Sequence, residues 1–184
     1  MRLLPRRRPT MPDDARQAVG LDPGERVLAW SELVGGGFAA ATAARLHVLT
    51  PYGKQFVRTW VEVDHVAWDD ESRTLAVWWV GSRQAIGLEP VEASFLPEAV
   101  YERLRSSMML TREVGLPGGH RATLALRRDA AGAVTCQSRL PAGVSAEDPS
   151  VAATLRAAEA GLREEAGLDA GQAGATSDVW GSRS

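Results

Sequence analysis

Apolar and polar positions alternate with a period near two from Arg26 to Leu88, and the period then lengthens to about four. The first stretch predicts strands at Arg26–Leu33, Phe38–Thr42, Arg45–Thr50, Gln55–Trp60, Val61–Trp68, Thr74–Val80 and Arg83–Leu88. Turn residues separate them: Gly35-Gly36-Gly37, Pro51-Tyr52-Gly53, Asp69-Asp70-Glu71-Ser72 and Gly81-Ser82. In the fifth strand the alternation places Val61, Val63, His65 and Ala67 on one face, and Glu62, Asp64, Val66 and Trp68 on the other. Leu96, Val100, Leu104 and Met108 then recur every fourth residue, beside Tyr101, which predicts one apolar helical stripe turned toward the strands. Pro97 suits the first helical position, where no amide hydrogen is needed. Glu98 and Glu102 lie toward the positive end of the helix dipole, and Arg103 and Arg105 toward the negative end.

The flanks carry weaker patterns. Residues 1–12 are rich in arginine and proline with little to bury, and read as a disordered basic arm. A short helix is expected from Asp13 to Val19, opened by Pro12 and stopped by Gly20. Beyond the long helix, Arg112–Leu116 predicts a strand, and Arg121–Arg128 with Val134–Leu140 a hairpin around Ala130-Ala131-Gly132. Asp148-Pro149 marks the start of a second long helix, with stripe Val151, Leu155, Ala158 and Leu162, and Gly167 just past its end. The stretch 169–184 reads as a disordered tail containing the odd apolar Trp180. The expected organisation is an arm (1–12), a strand-rich unit with its helix (13–110), a hairpin-plus-helix appendage (111–168) and a tail (169–184).

Composition narrows the class. A chain of 184 residues with net charge −2 has no overall bias toward nucleic acid or anionic membrane. Cys136 is the single cysteine, so no intramolecular disulfide forms, which fits a reducing compartment. Lys54 is the one lysine among 21 basic residues; with the abundant alanine, this reads as the coding bias of a GC-rich bacterial genome. The longest apolar run, Leu33–Ala44, is shorter than the roughly 20 residues a membrane helix needs. The arginines near the start are not followed by an apolar stretch, so no secretory signal is read there, and a cytoplasmic location is expected.

Seven short strands followed by one amphipathic helix form an α+β arrangement. Residues 25–110 resemble the bacterial pleckstrin-homology-like (PH-like) domains of uncharacterised proteins. The resemblance rests on Gly24-Glu25-Arg26-Val27-Leu28-Ala29-Trp30, on Ala41-Thr42-Ala43-Ala44-Arg45-Leu46-His47-Val48, and on Trp60, Val63, Val66, Trp68, Asp69 and Leu75-Ala76-Val77-Trp78-Trp79. It implies a PH-like β-barrel of about seven antiparallel strands, closed at one end by the C-terminal helix, and a recognition role toward a peptide, a protein or occasionally a lipid. Family members that bind phosphoinositides carry basic residues between the first two strands. Here that linker is Val34-Gly35-Gly36-Gly37, which disfavours that ligand.

Catalytic signatures are sparse. Leu162-Arg163-Glu164-Glu165-Ala166-Gly167-Leu168 resembles the end of the Nudix box, whose glutamates hold a divalent cation against a diphosphate. Ala160-Gly161 stands where that pattern has an Arg-Glu pair, Ala152 where it has an earlier glutamate, and Ala146 where it has the opening glycine. His47, His65 and His120 are far apart and show no metal-ligand spacing. Cys136 sits on a predicted strand, where a small buried hydrophobe is the default. Neither Gly35-Gly36-Gly37 nor Leu116-Pro117-Gly118-Gly119 runs into a helix, as a phosphate cradle requires. Trp78 and Trp79 are strand neighbours and face opposite ways, so one fills the core and the other is a candidate partner anchor. The expectation is a non-catalytic binding or scaffold module for a protein or peptide, without cofactor or metal. The alternatives are a divergent Nudix-like hydrolase on Glu164 and Glu165, and a nucleic-acid binder through Arg6-Arg7-Arg8, Arg121, Arg127 and Arg128.

Overall fold

A computed structural model of the chain describes residues 10–168 and a short strand at 178–180. Its element order is α1 (Asp13–Ala18), β1 (Val27–Glu32), β2 (Phe38–Thr42), β3 (Arg45–Leu49), β4 (Gln55–Thr59), β5 (Val63–Asp69), β6 (Thr74–Trp79), β7 (Ala85–Leu88), α2 (Leu96–Ser107), β8 (Met108–Gly115), β9 (Arg121–Arg128), β10 (Val134–Arg139), α3 (Pro149–Glu165) and β11 (Asp178–Trp180). The α+β class holds. The closed barrel does not: the first seven strands form two open antiparallel meanders, ordered β1-β2-β3-β4 and β5-β6-β7. They meet at an isolated bridge between Leu33 and Pro90. Between β4 and β5 the chain leaves the ladder in a 3-10 turn at Trp60–Glu62, so these strands do not continue into one another.

The first core lies between the two meanders and α2. Ala39, Ala41, Leu46, Val48, Val63, Leu75, Val77, Leu88, Leu96 and Val100 are all fully enclosed in it. Three small residues in β2 work on both of its faces. Ala39 and Ala41 point into this core, while Ala40 points the other way and packs with Met11, Ala15 and Val19. A larger residue at 40 would hold α1 off the sheet. The stretch read as a loose arm therefore docks from Met11 onward, where 3% of the residue is exposed; residues 1–9 lie outside the described residues. Gly37, at φ +89°, closes the β1–β2 turn where a Cβ would collide with the Leu49 carbonyl oxygen.

Two periodicity readings are corrected. In β5 the register shifts between Val63 and His65, so the strict alternation breaks there. Val63, Val66 and Trp68 reach the first core together, whereas Ala67 is exposed. The long helix ends at Ser107, one residue before the last member of its stripe. Met108 opens β8 and is 38% exposed, so helix and strand join without a linker. Leu96 and Val100 are fully buried and Leu104 is partly so. The Tyr101 hydroxyl fastens the helix to β5, accepting from the Trp68 amide at 3.1 Å and donating to the Val66 carbonyl at 3.4 Å.

The appendage is a four-stranded sheet ordered β11-β10-β9-β8, which adds a strand to the expected strand and hairpin, with α3 on one face. The strand at Asp178–Trp180 runs parallel to β10, from within the stretch read as a disordered tail. A parallel neighbour requires a long crossover, and α3 lies in that connection. The Asp148 carboxylate caps α3 by accepting from the Ser150 and Val151 amides. Its end closes with Gly167 at φ +67° and the Leu168 amide bonded to the Arg163 carbonyl. Leu124, Leu126, Cys136, Val151 and Leu162 fill this second core.

Candidate functional site

Two places gather side chains beyond what the cores require. The first is the junction between the units. Arg127 of β9 is 1% exposed and spends its whole guanidinium on the first unit and its own sheet. Nη1 donates to the Val61 and Val63 carbonyls at 3.2 and 2.6 Å and to Gln137 Oε1 at 3.3 Å. Nη2 donates to the Trp60 carbonyl and to Ser107 Oγ, and Nε reaches the same hydroxyl at 3.2 Å. Gln137 Nε2 adds a 2.6 Å bond to the Val61 carbonyl. The turn at 60–62 takes the Trp60 and Val61 carbonyls out of the sheet ladder, and an arginine from the neighbouring unit donates to them. Burial lowers the Arg127 pKa to about 10, partly opposed by the Asp64 charge; the group stays charged at neutral pH. Arg127 is therefore not accessible to phosphate, which corrects its place in a nucleic-acid surface.

Beside it, the Asp64 carboxylate accepts from Arg139 at 2.7 Å and pairs with His65 Nδ1 at 2.8 Å. The His65 ring stacks on Trp78 with centroids 4.2 Å apart and planes 10° from parallel. Trp79, as its neighbour on a strand, goes to the other face and packs in the first core, 5.9 Å from Phe56. Its indole N–H is buried with no hydrogen-bond partner among the described residues. The two tryptophans thus divide as their adjacency predicts, but neither stands alone as an open anchor.

The second place is a groove of about 950 Å³ along β1. Its floor is Val27–Glu32, one end is formed by Thr10, Met11 and Arg16, and the far wall is the loop Val91–Phe95. Its origin is local. The Val91 amide donates to the Glu32 carbonyl and the Val34 amide to the Glu89 carbonyl, which ties the two meanders together at this point. Beyond it the chain departs toward α2, whose first residue is Leu96, and the meanders separate over β1. Val91 is 49% and Phe95 44% exposed on the loop wall. Glu32 and Glu92 have no ion pair among the described residues, while Arg16 donates to the Glu25 carbonyl at 2.9 Å.

The remaining candidates do not converge. Glu165 pairs with Arg112, whereas Glu164 is exposed on the same last turn of α3. No group of three or more His, Cys, Asp and Glu among the described residues is placed to hold a metal ion. His47 is fully buried, between the Val19 carbonyl and Glu25, in a structural role. Burial, and secondarily the Glu159 charge, push the Cys136 thiol up to about 12, so it is a poor nucleophile. No helix among the described residues is long and apolar enough to cross a membrane.

The groove is what the sequence reading missed. Its signal was present: Val91 and Phe95 are apolar residues in a Pro/Ser/Glu-containing connection, outside both periodic patterns. Comparison with family models, with curated proteins and with solved structures finds no match for the chain.

Proposed function

We propose that the chain is a non-catalytic recognition module, with a divergent PH-like first unit, that takes an extended peptide segment of a protein partner into the groove along β1. Support for the PH-like reading is the order of four and three antiparallel strands followed by a helix packed on both meanders. The observation that carries the function is the groove itself. It has a strand for a floor, apolar side chains on its wall and a few charged groups at its rim, which is the chemistry of peptide recognition. A β-strand rises about 3.3 Å per residue, so a floor of six residues accommodates a peptide of similar length. At the junction, by contrast, Arg127, Gln137 and Arg139 are engaged by intramolecular partners.

The test is selection of a displayed random-peptide library on the intact chain, followed by affinity measurement on Val91→Asp. Enriched peptides are expected to lose at least tenfold in affinity on the variant. Failure to enrich any peptide, or equal binding to the variant, overturns the reading.

A further inference from the structure

We propose that the β1 groove selects an extended partner peptide with an acidic residue near one end and a basic residue about six positions away. The inference rests on the groove being the recognition site, and it names the class of segment that the site takes. The charged residues of the lining are segregated by sign. Arg16 and Arg26 stand at the end where β1 begins, beside Thr10 and Met11. Glu32 closes the strand at the other end, and its carbonyl accepts from the Val91 amide, which brings Glu92 to the same end. Arg26, Glu32 and Glu92 are exposed and make no ion pair among the described residues. Glu25 precedes Arg26 but is not part of the lining, and its carboxylate accepts from Thr42 Oγ1 at 2.7 Å. Arg26 and Glu32 lie roughly 20 Å apart at about 3.3 Å per strand residue. Screening at physiological salt acts over about 8 Å, so each end presents its own sign and the two do not cancel. Leu28, Trp30 and Phe95 carry interactions of their own. Discrimination between peptides therefore falls to the charged ends and to half-exposed Val91. A segment extended along the floor spans it with a similar number of residues, which sets the spacing between its acid and its base. A segment with like charges at both ends meets attraction at one end and repulsion at the other.

Peptides selected from a displayed random library on the intact chain test this. Enriched sequences are expected to share an acid and a base about five to seven positions apart. Replacing Glu32 and Glu92 together by Lys makes both ends basic. The variant is expected to bind the selected peptides about fivefold more weakly, the scale of an exposed ion pair lost. A second selection, on that variant, is expected to enrich peptides acidic at both ends, which also shows that the variant is folded. Peptides that need Val91 but share no acid and base, or that keep their affinity on the variant, overturn the charge selectivity and leave peptide recognition standing. If no peptide is enriched, both readings fall. A dimer in sedimentation that Val91→Asp dissolves then gives the groove to a second copy of the chain.

Discussion

The junction and the groove are built from similar side chains and end in opposite states. At the junction an arginine, a glutamine, a serine and an aspartate meet carbonyls and one another, and nearly every donor finds an acceptor. At the groove, Arg16, Glu32 and Glu92 line the same opening as half-exposed Val91 and Phe95. The contrast teaches that charge alone does not mark a binding surface in this molecule. Arg127, which stands in a run with Arg128, is a structural bolt, whereas Val91 on the groove loop is a half-exposed apolar residue.

The first effect separates these roles. Replacing Arg127 by Met removes the guanidinium donors from the Trp60, Val61 and Val63 carbonyls, leaving Trp60 the Val63 amide and Val61 the Gln137 side chain. Losing hydrogen bonds to a charged group costs about 1.5–3 kcal/mol. Denaturant unfolding of Arg127→Met is expected to show a loss of that size, with any surviving fold keeping its peptide affinity. Val91→Asp is the mirror case. A half-exposed surface change moves stability by about 0.5 kcal/mol or less, yet removes recognition. If Val91→Asp unfolds the protein or Arg127→Met costs nothing, the division between bolt and groove is wrong.

The next effect lies in the helix that separates the two places. Leu96 is fully buried at the start of α2, immediately after the groove loop. Leu96→Ala removes core volume and is expected to cost about 2–5 kcal/mol. Thermal unfolding measures it. A loss under about 1 kcal/mol, below the usual range for a buried leucine, would mean that α2 does not close the first core.

Most of the local structure was legible from residue pattern, because strand alternation and helical stripes report which face is buried. Leu96 and Val100, Asp148 with Pro149, and Gly167 are where their types require them to be. What failed were features set by neighbours distant in sequence. A bulge at Asp64 shifts the face of β5, and Asp64 there meets Arg139, 75 residues away. Met108 continues the helical period, yet pairing with β9 draws it into a strand. Arg127 looks like an exposed strand residue because the unit that buries its face lies some 60 residues earlier. The groove was invisible for the same reason: its floor and its wall come from opposite ends of the first unit.

The smallest effect sharpens how the groove's near end is held. Glu25 follows the turn after α1 and accepts from Thr42 Oγ1 at 2.7 Å, with His47 Nε2 at 3.4 Å and the Asp22 amide at 3.4 Å. Burial pushes its carboxyl up, but the Thr42 hydroxyl, the His47 ring and the Asp22 amide outweigh this and hold it below its usual value of 4.5. A carboxyl depressed in the folded state adds stability that is present above its unfolded pKa and is lost as pH falls through the folded one. Glu25→Gln keeps the shape without the charge, and at neutral pH it is expected to cost about 1 kcal/mol. That difference from the native chain should shrink steadily as pH drops below about 4.5. Denaturant midpoints of both proteins at pH 7, 5 and 3 give the comparison. A gap that stays constant with pH would show that the Glu25 charge plays no part in docking α1, and that the packing of Met11, Ala15 and Val19 on Ala40, with the Arg16 and His47 hydrogen bonds to backbone carbonyls, holds the near end of the groove.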